Sequence, residues 1–297
     1  MGFDRFAAKH AARESMRLNN PSPILVTLLY FALTSLLWAA ISYLLYNPAA
    51  ELMWCVDAGY TAEEIWGFFL ENILQNHQRD LYMLVGVEFL FGLYSTFMSF
   101  GYTSYALRMA RNEQPGVRHL FDGFARPLRV LWADILVNLF TLLWSLLIVV
   151  PVSFLLALSG LNVENSASII ATVSVITVVA VTYRYRLTSY FIIDDPACTA
   201  RMAVRRSKQA MKGWKWSLFC LDMSFFGWML LSAALGGIIA WLLPVPAMDV
   251  LEFWVRPYRA AAEANFYDAI TGPSQPSGGY AGPDYDYQAH TDGPQPF

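Results

Sequence analysis

Three carboxylates, Glu88, Asp134 and Asp222, sit inside stretches of sequence that are otherwise almost wholly apolar. An ionisable group in lipid is costly unless it is paired or wet, so each is a default functional candidate. Asp134 and Asp222 lie four or five residues inside one end of their runs, and Arg184 and Arg186 lie near the same end of a third. These four could form a shared intramembrane ion cluster. The plainer alternative is that short carboxylates near the interface stay hydrated while the arginines snorkel. Glu88 lies nearer the opposite end, a candidate isolated acid.

A second set of charges is periodic. After Asp195-Pro196, which reads as an N-cap followed by the first helical residue of Ala197–Lys212, Arg201, Arg205, Lys208 and Lys212 recur at i, i+4, i+7 and i+11. They make one basic stripe, with Ala200, Ala203, Val204 and Met211 supplying a weaker apolar face. Such a helix suits anionic lipid headgroups, although the same charges also serve as topogenic signals. Nucleic acid is not expected, since no soluble domain or stacking-aromatic platform accompanies the stripe.

Nucleophilic, phosphate-binding and metal signatures are missing: there is no GxSxG, Walker P-loop or HExxH. The four histidines are scattered at 10, 77, 119 and 290, and Cys55, Cys198 and Cys220 form no CxxC pair. No catalytic residue, cofactor or metal site is expected.

The elements that position these residues are membrane helices. Of 297 residues, 56% are hydrophobic and only 14% charged, against about 45–50% and about 25% in a soluble domain. Apolar runs long enough to cross a bilayer fall at 24–46, 81–107, 130–158, 168–193 and 217–243. The fourth is rich in Val, Ile and Thr, but a lone strand in lipid would leave its backbone unpaired, so it too reads as helix. Residues 1–23 carry an amphipathic helix that precedes the first span, itself too long for a cleaved signal. Small residues at Ser232, Gly236 and Ala240 allow close helix approach.

Lys plus Arg alternate along the chain: 4 before the first span, 1 in 47–80, 5 in 108–129, none in 159–167 and 8 in 184–216. By the positive-inside rule the N-terminus and the two basic loops face the cytoplasm, and 47–80 and 159–167 face outward. In the first outer loop, Thr61 through Glu64 reads as a capping box opening a short helix with Ile65, Phe68, Phe69 and Ile73.

Past Pro244 and Pro246 the stretch 248–270 is more polar. Helical spacing puts Val250, Trp254, Pro257 and Ala261 on one side and Glu252, Arg256, Arg259 and Glu263 on the other, with two i,i+4 ion pairs. It is read as a weak, shallow sixth helix. Residues 271–297, poor in aliphatic side chains, read as a disordered acidic tail. The fold class is therefore an all-α polytopic membrane bundle with interfacial amphipathic helices.

Several phrases together resemble a bacterial integral-membrane family, the domain of unknown function 975. They are Ala12 through Asn19, Leu120-Phe121-Asp122-Gly123-Phe124, Tyr190 through Pro196, Ser207 through Gly213, Leu221 through Trp228, Trp254 through Tyr258 and Ala264-Asn265-Phe266-Tyr267. The resemblance spans most of residues 10–268. It implies a multi-pass protein of the bacterial cytoplasmic membrane, with the last phrases on a sixth helix that returns inward, and carries no catalytic residues. Two functional readings follow. One is a non-enzymatic accessory, scaffold or envelope-homeostasis protein touching the lipid bilayer and a membrane-protein partner. The other is a small-solute permease using the intramembrane acids. In the first, Asp134→Asn and Asp222→Asn would harm folding by leaving an arginine unpaired.

Overall fold

The computed structural model describes residues 3–44, 48–68, 71, 78–159, 162–242 and 251–272, and among these the only regular secondary structure is helical. Helix α1 (Arg5–Leu18) starts where the Asp4 carboxylate accepts the Phe6 and Ala7 amides at 2.8 and 3.2 Å, a side-chain N-cap. Next come α2 (Pro23–Phe31), a π-helical turn (Ala32–Leu36) and α3 (Leu37–Leu44), which together make the first apolar rod. The short helices α4 (Pro48–Asp57) and α5 (Ala62–Phe68) follow. At the start of α5 the Glu64 carboxylate accepts the Thr61 amide at 2.8 Å, the expected capping box.

Helix α6 (Gln78–Ala110) leads through a 3-10 turn (Val117–Phe121) and α7 (Asp122–Ala125) into α8 (Pro127–Leu158). Helix α9 (Val163–Tyr185) breaks at Arg186-Leu187 and resumes as α10 (Thr188–Asp194). Helices α11 (Ala200–Ala210), α12 (Lys215–Leu242) and α13 (Glu252–Thr271) complete the bundle. Five helical stretches are long and apolar enough to cross a membrane: Pro23–Ile41, Arg79–Ala110, Pro127–Leu158, Asn165–Asp194 and Lys215–Ile238. They correspond to the five expected spans and describe a membrane-embedded all-α bundle.

The bundle is unevenly packed along its length. Its buried core gathers Tyr105, Leu107, Met109, Leu187, Tyr190, Leu218, Phe225, Phe266 and Tyr267 at the end where the basic residues cluster. Elsewhere, α8 leaves Leu139, Leu142, Leu146, Leu147, Val150 and Phe154 exposed, as a surface solvated by hydrocarbon would.

Two glycines set how closely the α6–α8 connection packs. A Cβ on Gly101 would run into the Leu120 backbone carbonyl, and one on Gly123 into that of Phe97, so the turn lies backbone to backbone on α6. Asp122 fixes the same turn, its Oδ2 accepting the Ser104 hydroxyl at 2.6 Å and lying 3.1 Å from His119 Nδ1. The phrase Leu120 through Phe124 is thus a packing device. Gly101→Ala is expected to destabilise the fold by about 3 kcal/mol, at the upper end of ordinary overpacking because backbone must move. Thermal unfolding followed by size exclusion in detergent would read the loss.

Helix α13 lies inside the basic end. Its first turns touch α2, with Phe253 edge-on to Phe31 at 4.9 Å. Its last turns reach α1 and α10, with Phe266 edge-on to Phe3 at 4.8 Å and Tyr267 stacked on Tyr190 at 5.0 Å. Helix α1 covers it, as the Asn265 amide donates to the Ala8 carbonyl at 3.1 Å and the Arg13 guanidinium sits 5.3 Å from the Tyr258 ring. Of the weak sixth helix, residues 248–250 lie outside the described ones. The acidic tail beyond residue 272 also lies outside them, as do Phe69, Ile73, Pro244 and Pro246.

The faces of α13 differ from those that helical spacing suggests. Trp254, placed on the apolar side, is 64% exposed, whereas Glu263, placed on the polar side, is only 8% exposed. The expected Glu252–Arg256 pair is present at 3.5 Å, but Arg259 and Glu263 each turn to another helix. A polar face packed inward is what a helix does when its neighbours already carry the complementary charges.

Candidate functional site

The charges at the basic end meet on α13. Arg186, at the α9–α10 break, forks onto Glu263, with Nε donating to Oε1 at 2.6 Å and Nη2 to Oε2 at 3.0 Å. On α12, Asp222 accepts the Tyr183 hydroxyl at 2.6 Å and lies 3.9 Å from Arg259 Nε. One helix turn further along α13, Asp268 accepts from Arg111 Nε at 3.1 Å and from Nη2 at 2.6 Å. The same guanidinium donates to both oxygens of Asp194 at 2.6 and 3.0 Å, and the Tyr267 hydroxyl adds a bond to Asp194 at 2.8 Å. Arg111 therefore ties α6, α10 and α13 together through bidentate geometry. Near the start of α13 the Arg256 guanidinium lies over Tyr30, Phe31 and Tyr102 at 4.6, 5.0 and 5.4 Å.

The four-residue cluster anticipated from spacing is only half assembled. Arg186 and Asp222 both join the network around α13, but Arg184 instead sits over the Trp144 ring at 5.5 Å. Asp134 is elsewhere, its Oδ2 accepting the Asn138 amide at 3.0 Å. Glu88 is exposed on α6 and belongs to neither group. Among the described residues no arginine lies within 4.0 Å of Asp134, so Asp134→Asn would strand no paired cation there. The expected folding defect therefore does not carry over to that residue.

Asp134 lines a cleft of about 370 Å³ between α6, α8 and α9–α10. Around it lie Ser95, Thr96, Ser99, Thr188 and Ser189 together with Phe100, Val130 and Tyr185. The break that brings Thr188 and Ser189 here is held by a third helix. Ser207, fully buried on α11, accepts the Leu187 amide at 3.2 Å and donates to the Arg184 carbonyl at 3.3 Å.

Helix α11 is amphipathic as read, with a corrected start and an earlier end at Ala210, which leaves Met211 and Lys212 in the turn that follows. Asp195 does not cap it. Its Oδ1 accepts the Ala197 amide at 2.9 Å in a local turn, and Thr199 is the N-cap, accepting the Met202 amide at 3.3 Å. Partial burial alone would raise the Asp195 carboxyl. The bonds from the Ala197 amide and the Arg206 guanidinium outweigh it and hold the group below its ordinary value. Ala200, Ala203, Val204, Ser207 and Met211 face inward, while Arg201, Arg205, Lys208 and Lys212 are all exposed. Beside the helix, burial pushes the Cys198 thiol up, which keeps it in the poorly nucleophilic protonated form. Among the described residues no group of three His, Cys, Asp or Glu side chains is placed to hold a metal.

Sequence reasoning passed over Glu263, Arg111, Asp194, Asp268 and Ser207 as parts of a site. The available signal was a single carboxylate between Ala262 and Ala264, and the second of two arginines, Arg108 and Arg111, just past the second apolar run. The Arg186–Glu263, Arg111–Asp194 and Arg111–Asp268 pairs join residues 77 to 157 positions apart, a separation at which spacing carries no information.

An all-helical bundle with five bilayer-length rods and an internal charge network defines the class, a membrane-embedded helical protein. The chain matches the model of a protein family of unknown function, DUF975, over residues 1–274, and it belongs to that family. No curated protein and no solved structure matches it.

Proposed function

We propose that this chain is a non-enzymatic accessory or scaffold protein of the bacterial cytoplasmic membrane, its basic end facing the cytoplasm and anionic headgroups. The observation that carries this reading is the exposure of Arg201, Arg205 and Lys208 on α11, and of Lys212 just past its end, while the opposite face of that helix is packed. The other charges of that end support it: Arg111, Arg186 and Arg259 are engaged with carboxylates, as an anchoring framework requires. A membrane-protein partner would meet the same end. The permease reading is less well supported, because Asp222 already faces a tyrosine and an arginine and Asp134 lies apart from it.

The test uses the whole protein in a zwitterionic detergent and a fluorescent short-chain phosphatidylglycerol, with binding read by anisotropy. Reversing Arg201, Arg205 and Lys208 to Glu should weaken binding by at least roughly tenfold, since each cation near an anionic surface contributes about 1 kcal/mol. Salt near 1 M should erase most of the difference, because screening then acts within about 3 Å. Equal affinity of both proteins, or equal affinity for a neutral lipid, leaves the stripe a topogenic signal only.

A further inference from the structure

The acids of the basic end divide sharply. Asp194, Asp268 and Glu263 each have an arginine nitrogen at 2.6 Å, and Asp222 has one at 3.9 Å with a tyrosine hydroxyl besides. Asp134, one of the carboxylates set within an apolar rod, has no Lys, Arg or His within 4.0 Å among the described residues. Its bonded partner is the neutral amide of Asn138. A carboxylate at such a position wants a positive counter-charge, and the wall it faces is lined by hydroxyls, which can accept as well as donate. The Thr188 hydroxyl spends its proton on the Tyr185 carbonyl at 2.7 Å, which leaves its lone pairs available to the cleft. Ser95, Thr96, Ser99 and Ser189 add further oxygens.

We propose that the cleft between α6, α8 and α10 binds a primary ammonium group, with the Asp134 carboxylate as counter-ion and the surrounding serine and threonine hydroxyls as acceptors for its remaining N–H bonds.

Size and composition choose among cations. A volume of about 370 Å³ is an order of magnitude above the share of one water, and a single carboxylate does not make a site for a bare divalent ion. A quaternary ammonium would ask for a cage of aromatic faces, whereas here hydroxyls outnumber the two aromatic residues, Phe100 and Tyr185. An ion with three N–H donors matches this wall.

The mouth opens sideways. Gly92 and Ser99 on α6 are exposed, and a Cβ placed on Gly92 would meet nothing within 4 Å. A ligand can thus enter between α6 and α8 from the surrounding lipid as the headgroup of an amine-bearing phospholipid, or as a free amine. For the same reason Gly92→Leu adds a side chain in open space at the rim and narrows the entrance without touching Asp134.

The experiment is native mass spectrometry of the full chain in detergent with three probes: phosphatidylethanolamine, its N-trimethylated counterpart phosphatidylcholine, and free ethanolamine. Wild type should retain phosphatidylethanolamine, ethanolamine or both at least roughly tenfold better than phosphatidylcholine, about 1.4 kcal/mol. Asp134→Asn and Gly92→Leu should each abolish that preference, while eluting as the same single species with unchanged unfolding temperature. Retention of the lipid alone identifies a headgroup site, and retention of ethanolamine as well identifies a site for small amines. If Asp134→Asn fails to fold, Gly92→Leu decides by itself. Equal retention of the methylated lipid, no retention of either amine, or a preference that survives in the folded variants overturns the proposal.

Discussion

Arg111→Ala should leave the protein short of about 3 kcal/mol of stability, in the range measured when one partner of a buried ion pair is removed. The lower end of that range applies because the Asp194 and Asp268 side chains keep 15% and 19% of their surface exposed. What makes the loss large is the number of bonds that go at once. Five hydrogen bonds to two carboxylates disappear, and α6 is released from α10 and α13 together. The two acids then lose the cation they share. Burial already raises the Asp268 carboxyl, and losing Arg111 takes away the contacts that lower it, so protonation of Asp268 relieves the repulsion between the two acids and the deficit should shrink as pH is lowered. Arg111→Lys should fall between, since an ammonium supplies the charge but not the double fork. Unfolding temperature in detergent across pH 5 to 8 measures all three proteins. A variant as stable as wild type at pH 7 would show that the network is not what fastens α13.

How much of this was legible before the structure depends on the range of the physics involved. The five rods were readable because a bilayer demands a local property, some twenty apolar residues in a row, and TM-length helices appear where those runs lie. The stripe on α11 was readable for a similar reason, as Arg201, Arg205 and Lys208 follow the helical period and are all exposed, with Lys212 continuing just past the helix end. The α11 start was misread because Asp195-Pro196 and Thr199 are both plausible starts, and only the turn formed by the Asp195 carboxylate tells them apart. The faces of α13 were misread for a deeper reason. Period alone says that Arg256, Arg259 and Glu263 share a side, but whether that side meets water or other helices depends on partners far away in sequence. The same holds for Asp134: its position in an apolar run marked it, yet the hydroxyl-lined cleft is assembled from three helices. Gly101 and Gly123 drew no notice as residues that must lack a Cβ, because the backbones that would collide belong to segments about twenty residues apart.

Glu263 is the most buried carboxylate of these contacts, and its pair with Arg186 carries the strongest mutational expectation. Glu263 is 8% exposed and lies among Ala261, Ala262, Ala264 and Phe266, so nothing beside it on α13 can replace its charge. Glu263→Ala removes both bonds to the guanidinium, at 2.6 and 3.0 Å, and leaves Arg186 with Asp222, already engaged by Tyr183, as the carboxylate nearby. The expected loss is about 3–5 kcal/mol, the cost of stranding a buried charge, and it should appear as a low yield of monodisperse protein. Arg186→Met alone strands Glu263 and should be similarly damaging. The double variant Arg186→Met with Glu263→Leu removes both charges and fills the space with apolar atoms. It should recover most of the stability, because a well-packed apolar pair often equals or exceeds a buried salt bridge. The coupling energy from that cycle, read from unfolding in detergent, is the decisive quantity. A double variant no better than the two losses combined would mean that the pair supports the fold through contacts other than its charge.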